Sequence, residues 1–221
     1  GVEAAVFAPN SDSQALALFD ETHRLILLGG GVGSGKTVLH GLDALRRSVT
    51  ETDQLHGLFT NTQNQLEKAV IPSIQERFVT AGMERPVYDG RPPRKWVREW
   101  ARRGIQVPSV ARHRNVLIAP TGYHALCGTL HNQSYHQYET LQFGSVRIEE
   151  AINCSLEAIA TIIERVRCST GGGQRCRDRH RHQRYLVFNP PRGPHPWLFA
   201  YLDQLEDAAT AHYHPLQGTE Q

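Results

Sequence analysis

The chain contains, at residues 25–37, the stretch LILLGGGVGSGKT, in which four aliphatic residues precede a glycine-rich loop. The aliphatic run predicts a buried parallel strand. Residues 30–37 match the phosphate-loop pattern G-x-x-x-x-G-K-[S/T] without a mismatch. Glycines let backbone N–H groups approach phosphate oxygens, and a helix N-terminus after the loop favours an anion. Apolar residues at helical spacing predict that helix: Val38, Leu39, Leu42, Leu45 and Val49. This stretch therefore predicts a nucleoside triphosphate site.

The motif also assigns roles to individual side chains. Lys36 is expected to bring a positive charge to the β- and γ-phosphates, and Thr37 a hydroxyl to Mg²⁺. A glycine-rich turn that binds nothing is the alternative, which the strand–loop–helix order disfavours. The nucleotide-binding residues predicted in the loop are Gly30, Gly31, Val32, Gly33, Ser34, Gly35, Lys36 and Thr37.

Length and composition favour one α/β domain. The 221 residues fit a single domain over 1–221, and we expect its ordered core at about 14–209. Three of the 24 basic residues are lysines, so arginine dominates. Arginine suits forked phosphate contacts, although GC-rich coding would give the same bias. Four irregularly spaced cysteines do not suggest a disulfide framework. No apolar run approaches the ~18 residues of a membrane span, and no signal-peptide pattern opens the chain, so we expect a soluble intracellular protein.

A second landmark is the segment FGSVRIEEA at residues 143–151, an apolar strand that ends in two acidic residues. This is the Walker B pattern, in which the first carboxylate holds Mg²⁺, usually through water, and the second polarises the attacking water. Glu149 and Glu150 are expected in these roles. Arg147 interrupts the strand, and Glu149 stands where Asp is usual, so we interpret the segment as a conservative variant. A plain exposed Glu-Glu pair is the alternative.

Two amides extend the candidate nucleotide site. Gln14 lies about fifteen residues before the loop, and its side chain can pair with both polar edges of adenine. A solvated glutamine at a helix start is an equal alternative. Asn189 follows a predicted buried strand at residues 185–188 and precedes two prolines, a place from which an amide can sense the γ-phosphate.

Several other segments carry predictions about local structure. Residues 57–60 resemble a second strand that opens into a polar patch, which would lie on the ligand side of a parallel sheet. Capping of the next helix by Thr60 or Asn61 explains part of this patch equally well, and Pro72 is expected to kink or divide that helix. Residues 115–127 predict a hairpin, residues 151–166 a helix, and residues 210–221 a frayed tail.

Two basic segments have open interpretations. Residues 84–114 interleave basic residues, mostly arginines, with Trp96 and Trp100. They either follow a nucleic-acid backbone or form an exposed helix with two buried tryptophans. A basic loop at about 168–184 is more consistent with phosphate contact than with zinc. Its candidate zinc ligands are Cys168, Cys176, His180 and His182.

Taken in order, these elements resemble the ATPase domain of phage terminase large subunits, the motors that package viral DNA into a prohead. The elements that carry the resemblance are Gln14, the loop Gly30–Thr37, the segment Thr60–Leu66, Glu149-Glu150-Ala151, Arg165-Val166-Arg167, and Asn189-Pro190 followed by Trp197. The resemblance implies an α/β P-loop NTPase of the RecA-like, additional-strand type, with a mainly parallel central sheet flanked by helices. It also implies ATP and Mg²⁺ as cofactors, Lys36 and Glu150 as catalytic residues, Thr37 and Glu149 on the metal side, and Asn189 in a coupling motif.

The resemblance further implies partners and a location. A homo-oligomeric ring, which works with a portal and a small terminase subunit, would bind the backbone of double-stranded DNA without reading its sequence. This would take place in the cytoplasm of the infected host cell. The alternatives are a helicase-like ATPase, a small-molecule kinase, or a hydrolysis-deficient nucleotide-binding assembly protein.

Two departures from the family pattern are visible. The acidic residues after Asn189 form no metal cluster, so we expect no nuclease domain or nuclease activity in this chain. Related motors place an arginine finger before the acidic pair, whereas residues 137–145 contain no arginine. The finger is unassigned, with these candidates elsewhere: Arg102, Arg103, Arg112 and Arg114.

Overall fold

The computed structural model describes residues 12–20, 25–30, 34–109, 114–131, 134–166, 184–188 and 211–216. In chain order its elements are α1 (Asp12–Phe19), β1 (Leu25–Gly30), α2 (Lys36–Thr50), β2 (Leu55–Thr60), α3 (Gln63–Gln65), a π-helical turn (Leu66–Val70), α4 (Ile71–Thr80), β3 (Val87–Tyr88), α5 (Arg94–Arg103), β4 (Val116–Ile118), β5 (His124–Thr129), a 3₁₀ turn (Ser134–Tyr138), β6 (Val146–Glu149), a second 3₁₀ turn (Ala151–Asn153), α6 (Leu156–Glu164), β7 (Arg184–Phe188) and β8 (Ala211–Leu216).

One sheet organises the described chain, with the strand order β3-β4-β5-β2-β6-β7-β1-β8. The strands from β5 through β2, β6, β7 and β1 to β8 pair in parallel. The pairs β3–β4 and β4–β5 are antiparallel, which confirms the predicted hairpin. Strand β7 lies between β1 and β6, so it is the additional strand that separates the P-loop strand from the Walker B strand. The predicted fold class is confirmed.

Both faces of the sheet are covered, as a mainly parallel sheet requires. Every residue of β1 is buried, and its side chains alternate between the faces. Ile26 and Leu28 belong to the core beneath α1 and α2. Leu25 and Leu27 belong to the opposite core, which includes residues of α6. The four aliphatic residues are therefore consecutive because two layers of helices bury the strand from both sides.

The segment after β2 differs in detail from the prediction. The helical start is capped by Thr62, whose hydroxyl accepts a hydrogen bond from the Gln65 backbone N–H at 3.4 Å. The predicted caps Thr60 and Asn61 are therefore wrong by one or two positions. A π-helical turn precedes α4, and Pro72 lies in the first turn of α4. The backbone N–H groups of the first turn of a helix have no partner within the helix, so the N–H that Pro72 lacks is not missed there.

The tryptophans of α5 are buried. Trp96 and Trp100 pack against Val116 and Ile118 of β4, and the Trp100 indole N–H donates to the Pro120 carbonyl at 2.6 Å. The segment is therefore an exposed helix with two buried tryptophans, and contact of its arginines with a nucleic-acid backbone stays a prediction. The tryptophans are consequently not available to stack on bases, whereas the arginines of the helix are exposed.

Two further expectations are corrected. The helix predicted over 151–166 begins as a 3₁₀ turn, and α6 starts only at Leu156, because Ser155 caps it by accepting from the Ala158 N–H at 3.2 Å. The predicted tail at 210–221 contains β8, which pairs in parallel with β1. Backbone pairing with β1 satisfies N–H and C=O groups at the sheet edge, and an edge strand tolerates Pro215.

Within the described ranges, no helix is both long enough and apolar enough to cross a membrane.

Candidate nucleotide site

The described part of the glycine loop is held together by Lys36. Its ammonium group donates to the Gly30 carbonyl at 2.5 Å and to the Ser34 hydroxyl at 3.1 Å. These contacts hold the ammonium group of Lys36, the first residue of α2, between the last residue of β1 and Ser34. Burial lowers the pKa of Lys36, and the negative charges of Glu149 and Glu150 oppose that shift. The loop residues Gly31, Val32 and Gly33 lie outside the described residues.

Gly35 occupies a position that only glycine fits well. Its φ is 78°, in the left-handed region, and a Cβ there would lie 2.2 Å from the Gln14 amide nitrogen. Gln14 itself is 2% exposed and donates to the Ser34 carbonyl at 2.9 Å. The structure therefore places Gln14 against the loop backbone, where it supports the loop conformation. Its contact with adenine stays a prediction.

The end of β6 meets the start of α2. Glu149 is 4% exposed, and its Oε1 accepts a hydrogen bond from the Thr37 hydroxyl at 3.5 Å. The two oxygen-bearing side chains that the sequence assigns to the metal are thus brought together across the additional strand. A hydroxyl and a carboxylate are the hard oxygen ligands that suit Mg²⁺, which keeps most of its waters and relies on substrate phosphates for further ligands. The residues present therefore fit this ion.

His40 is a site residue that the sequence analysis missed. It lies one turn after Thr37 on α2, is 2% exposed, and contacts the second oxygen, Oε2, of Glu149 through its Nε2 atom. The only sequence signal was a histidine on the buried side of the helix that follows the loop. Burial acts to raise the pKa of the Glu149 carboxyl, but His40, Lys36 and Thr37 together hold it below its usual value. Glu149 is therefore a carboxylate at neutral pH.

Glu150 has a different environment from its neighbour. It is only partly buried, and its φ of 52° places a non-glycine residue in the left-handed region. Such backbone conformations cost of order 1–3 kcal/mol and cluster at functional sites. The Asn153 side-chain amide donates to Glu150 Oε2 at 3.0 Å. Asn153, which the sequence analysis also missed, orients the carboxylate. Glu149 is thus enclosed by α2, whereas Glu150 is accessible to a water molecule.

Arg147, which interrupts the apolar pattern of the strand, is buried beside this site. Its side chain is 3% exposed, forms an ion pair with Asp43 of α2, and lies over the Tyr185 ring at 4.9 Å. Burial lowers the pKa of Arg147 to about 10, so it remains charged at neutral pH. Asp43 also accepts hydrogen bonds from Arg46 and Arg47. The ion pair ties the P-loop helix to the Walker B strand.

The candidate arginine fingers are not brought to this site within the described chain. Arg102 is exposed and paired with Glu99 at 2.8 Å, Arg103 is exposed on the same helix, and Arg114 is exposed. Helix α5 packs on β4, which lies five positions from β1 in the strand order. At the usual strand spacing this is about 24 Å. The candidate Arg112 lies outside the described residues.

Two further candidates also fall outside the described ranges. Asn189 follows the last residue of β7, a strand that pairs with β1, but the residue itself is not described. The same holds for the cysteines and histidines of the basic loop at 168–184. Among the residues that are described, no group of three or more His, Cys, Asp or Glu side chains could hold a metal ion. Cys127 and Cys154 are buried free thiols.

Comparisons with known proteins agree with this architecture at the level of fold. No protein-family model and no curated protein matches the chain. The chain is similar to solved structures of the large terminase from a thermophilic bacteriophage. One crystal form has a TM-score of 0.63 at 18% identity over 94% of this chain and 46% of the terminase chain.

Two further structures of that terminase hold nucleotides. The complex with ADP has a TM-score of 0.62 at 17% identity, and the complex with ATP-gamma-S one of 0.64 at 16% identity. Each covers 94% of this chain and 45% of the terminase chain. The chain thus spans less than half the length of the terminases it matches. Its sheet order, its P-loop and its paired glutamates lie in a fold shared with the phage large terminases.

Proposed function

We propose that this chain is the ATP-hydrolysing motor domain of a terminase large subunit, which drives double-stranded viral DNA into a prohead. The observation that carries the proposal is the meeting of Thr37 with Glu149, beside a lysine held in the glycine loop. A loop that binds nothing would not need a buried carboxylate opposite its threonine hydroxyl. The ATP-gamma-S complex of the similar terminase supports the choice of nucleotide.

The proposal gives each of these side chains a task in ATP cleavage. The Lys36 ammonium, released from the Gly30 carbonyl, would bind the β- and γ-phosphate oxygens and offset their charge. Thr37 and Glu149 would hold Mg²⁺, which neutralises the phosphate charge when it is bound. Glu150, oriented by Asn153, would align a water for in-line attack on the γ-phosphorus. The bond between that phosphorus and the bridging oxygen would break, giving ADP and phosphate.

Phosphate release from ATP with Mg²⁺ tests this proposal. We expect release by the parent chain, stimulation by double-stranded DNA, and loss of release in Lys36→Ala. Loss of a preorganised charge of this kind typically costs about 10²–10³-fold in rate. Transfer of phosphate to a small molecule would indicate a kinase instead. Nucleotide binding without release, even with DNA present, would indicate an assembly protein and overturn the proposed hydrolysis.

We further propose that α5 contacts the DNA backbone. The chain would act in a homo-oligomeric ring on a portal, together with a small terminase subunit, in the host cytoplasm. Five of the ten residues of α5 are basic and one is acidic. Arg94 and Arg98 lie one turn apart on the exposed side, while the buried tryptophans fix the helix to the sheet. Exposed arginines on a rigid helix suit contacts with phosphates, which carry no sequence information.

Removing two of these charges is expected to weaken duplex binding uniformly across sequences. Each phosphate contact contributes about −0.9 to the slope of log K against log salt. The variant Arg94→Ala/Arg98→Ala should therefore reduce the magnitude of that slope by roughly 1.8 if both arginines bind phosphates. The measurement is binding of a fluorescent duplex at several salt concentrations. The matched control Lys68→Ala/Arg85→Ala removes two exposed charges elsewhere and should leave the slope unchanged. Equal slopes for parent and α5 variant would exclude α5 as the contact.

A further inference from the structure

Two residues of helix α2 contact the two carboxylate oxygens of Glu149. Thr37 donates its hydroxyl to Glu149 Oε1 at 3.5 Å, and His40 contacts Oε2 through its ring Nε2 atom. The two α2 residues are three positions apart, so their side chains lie on the same face of the helix. His40 and Glu149 are both nearly inaccessible to solvent. The imidazole is therefore a fixed partner of this carboxylate.

These two contacts restrict the side-chain torsions of Glu149. A glutamate has several side-chain torsions, and an unsupported carboxylate samples many orientations. Contacts to both oxygens select one of them, with Oε1 on the Thr37 side. The ion pair between Asp43 and Arg147 joins α2 to β6 a second time. Because His40 and Asp43 are also three positions apart, the same helix face sets both the position of the strand and the orientation of its last side chain.

We propose that His40 is a positioning residue that holds Glu149 Oε2 and thereby directs Oε1 toward the metal position beside Thr37. The inference rests on the proposed function, since the metal is the one that accompanies ATP. Groups that hydrogen-bond to a metal-ligating carboxylate commonly change metal affinity or activity by about 10–100-fold when they are removed. His40 touches neither nucleotide nor metal in this role, and it acts only through Glu149.

Two substitutions separate positioning from simple packing. His40→Gln keeps an N–H donor near the place of Nε2, whereas His40→Leu fills the space without a donor. We expect the Mg²⁺ concentration for half-maximal ATP-gamma-S binding to rise about tenfold in His40→Leu, and His40→Gln to restore most of the parent value. ATP-gamma-S binding without Mg²⁺ should be unchanged in both variants. An equal loss with and without Mg²⁺ would show a packing role and overturn the proposal.

A coupling measurement shows whether the effect passes through Glu149. In a Glu149→Ala background, His40→Leu should cause no further change in the Mg²⁺ requirement, because the carboxylate that it positions is gone. Additive effects would overturn the proposal. The matched control is His136→Leu, which removes an exposed histidine that pairs with Glu139 on the surface. It should leave the Mg²⁺ requirement at the parent value.

A nucleotide-free readout distinguishes failure of this inference from failure of the proposed function. The ¹⁵N resonances of the His40 ring should shift in Glu149→Gln and stay in place in Glu150→Gln. Unchanged resonances in Glu149→Gln would overturn the pairing whatever the nucleotide does. A parent chain that binds no ATP-gamma-S at any Mg²⁺ concentration, but shows the ¹⁵N shift, would overturn the proposed function and the metal-directing role while leaving the pairing intact. Parent binding with no change in His40→Leu would overturn the inference alone.

Discussion

Replacing Glu150 with Gln is expected to lower ATP turnover by about 10²–10⁴-fold, the range that a positioned catalytic base contributes, with nucleotide affinity nearly unchanged. Glutamine keeps the shape of the side chain but cannot accept a proton or polarise water as a carboxylate does. Among the described residues, the side-chain hydrogen-bond partner of Glu150 is Asn153, whereas Lys36, Thr37 and Glu149 contact one another or the loop directly. Binding through Lys36, Thr37 and Glu149 should therefore survive the change.

The measurement is single-turnover phosphate release beside equilibrium binding of ATP-gamma-S. Glu76→Gln provides the matched control, since Glu76 is exposed on α4, and it should behave as the parent. Turnover of Glu150→Gln close to the parent rate would remove Glu150 from the proposed role. Loss of binding together with turnover would mean that Glu150 contributes to the nucleotide site rather than to the chemical step.

The second large effect concerns stability. Asp43→Ala is expected to destabilise the fold by about 3–5 kcal/mol, the usual cost of breaking a buried ion pair by removing one partner. Asp43 is 1% exposed and compensates Arg147, while it also accepts from Arg46 and Arg47. Its loss would leave the Arg147 guanidinium buried, with the Tyr185 ring as its remaining contact among the residues that the structure describes. Urea unfolding of parent and variant measures the difference.

A second substitution tests the reason for that loss. Removing the uncompensated Arg147 charge as well, in Asp43→Leu/Arg147→Met, should recover most of the stability. Well-packed apolar residues often replace a buried ion pair without loss of stability. The matched control Asp53→Ala removes an exposed aspartate near the end of the same helix and should change the unfolding free energy by less than about 0.5 kcal/mol. Asp43→Ala with the parent's stability would show that the ion pair contributes nothing.

Periodicity and local motifs predicted the elements that lie close together in sequence. The strand β1 and the helix α2 form as expected on either side of the glycine-rich segment, since strand burial and helix spacing act over a few residues each. Equally local signals predicted the hairpin of β4 and β5 and one of the two interpretations of α5, the helix with buried tryptophans. Thr62 as a cap and the delayed start of α6 were missed, because neighbouring residues offer competing caps.

By itself, the sequence determined the strand β1, the helix α2 and a strand ending in two glutamates, and it predicted a phosphate site between the first two. Only the tertiary structure decided which side chains meet there. Sheet order placed β7 between β1 and β6, and edge pairing recruited β8 from a segment with no local strand signal. The pairing of His40 with Glu149 spans 109 positions. Contacts of that kind depend on how strands and helices stack, and the burial that makes them strong exists only once the layers have packed.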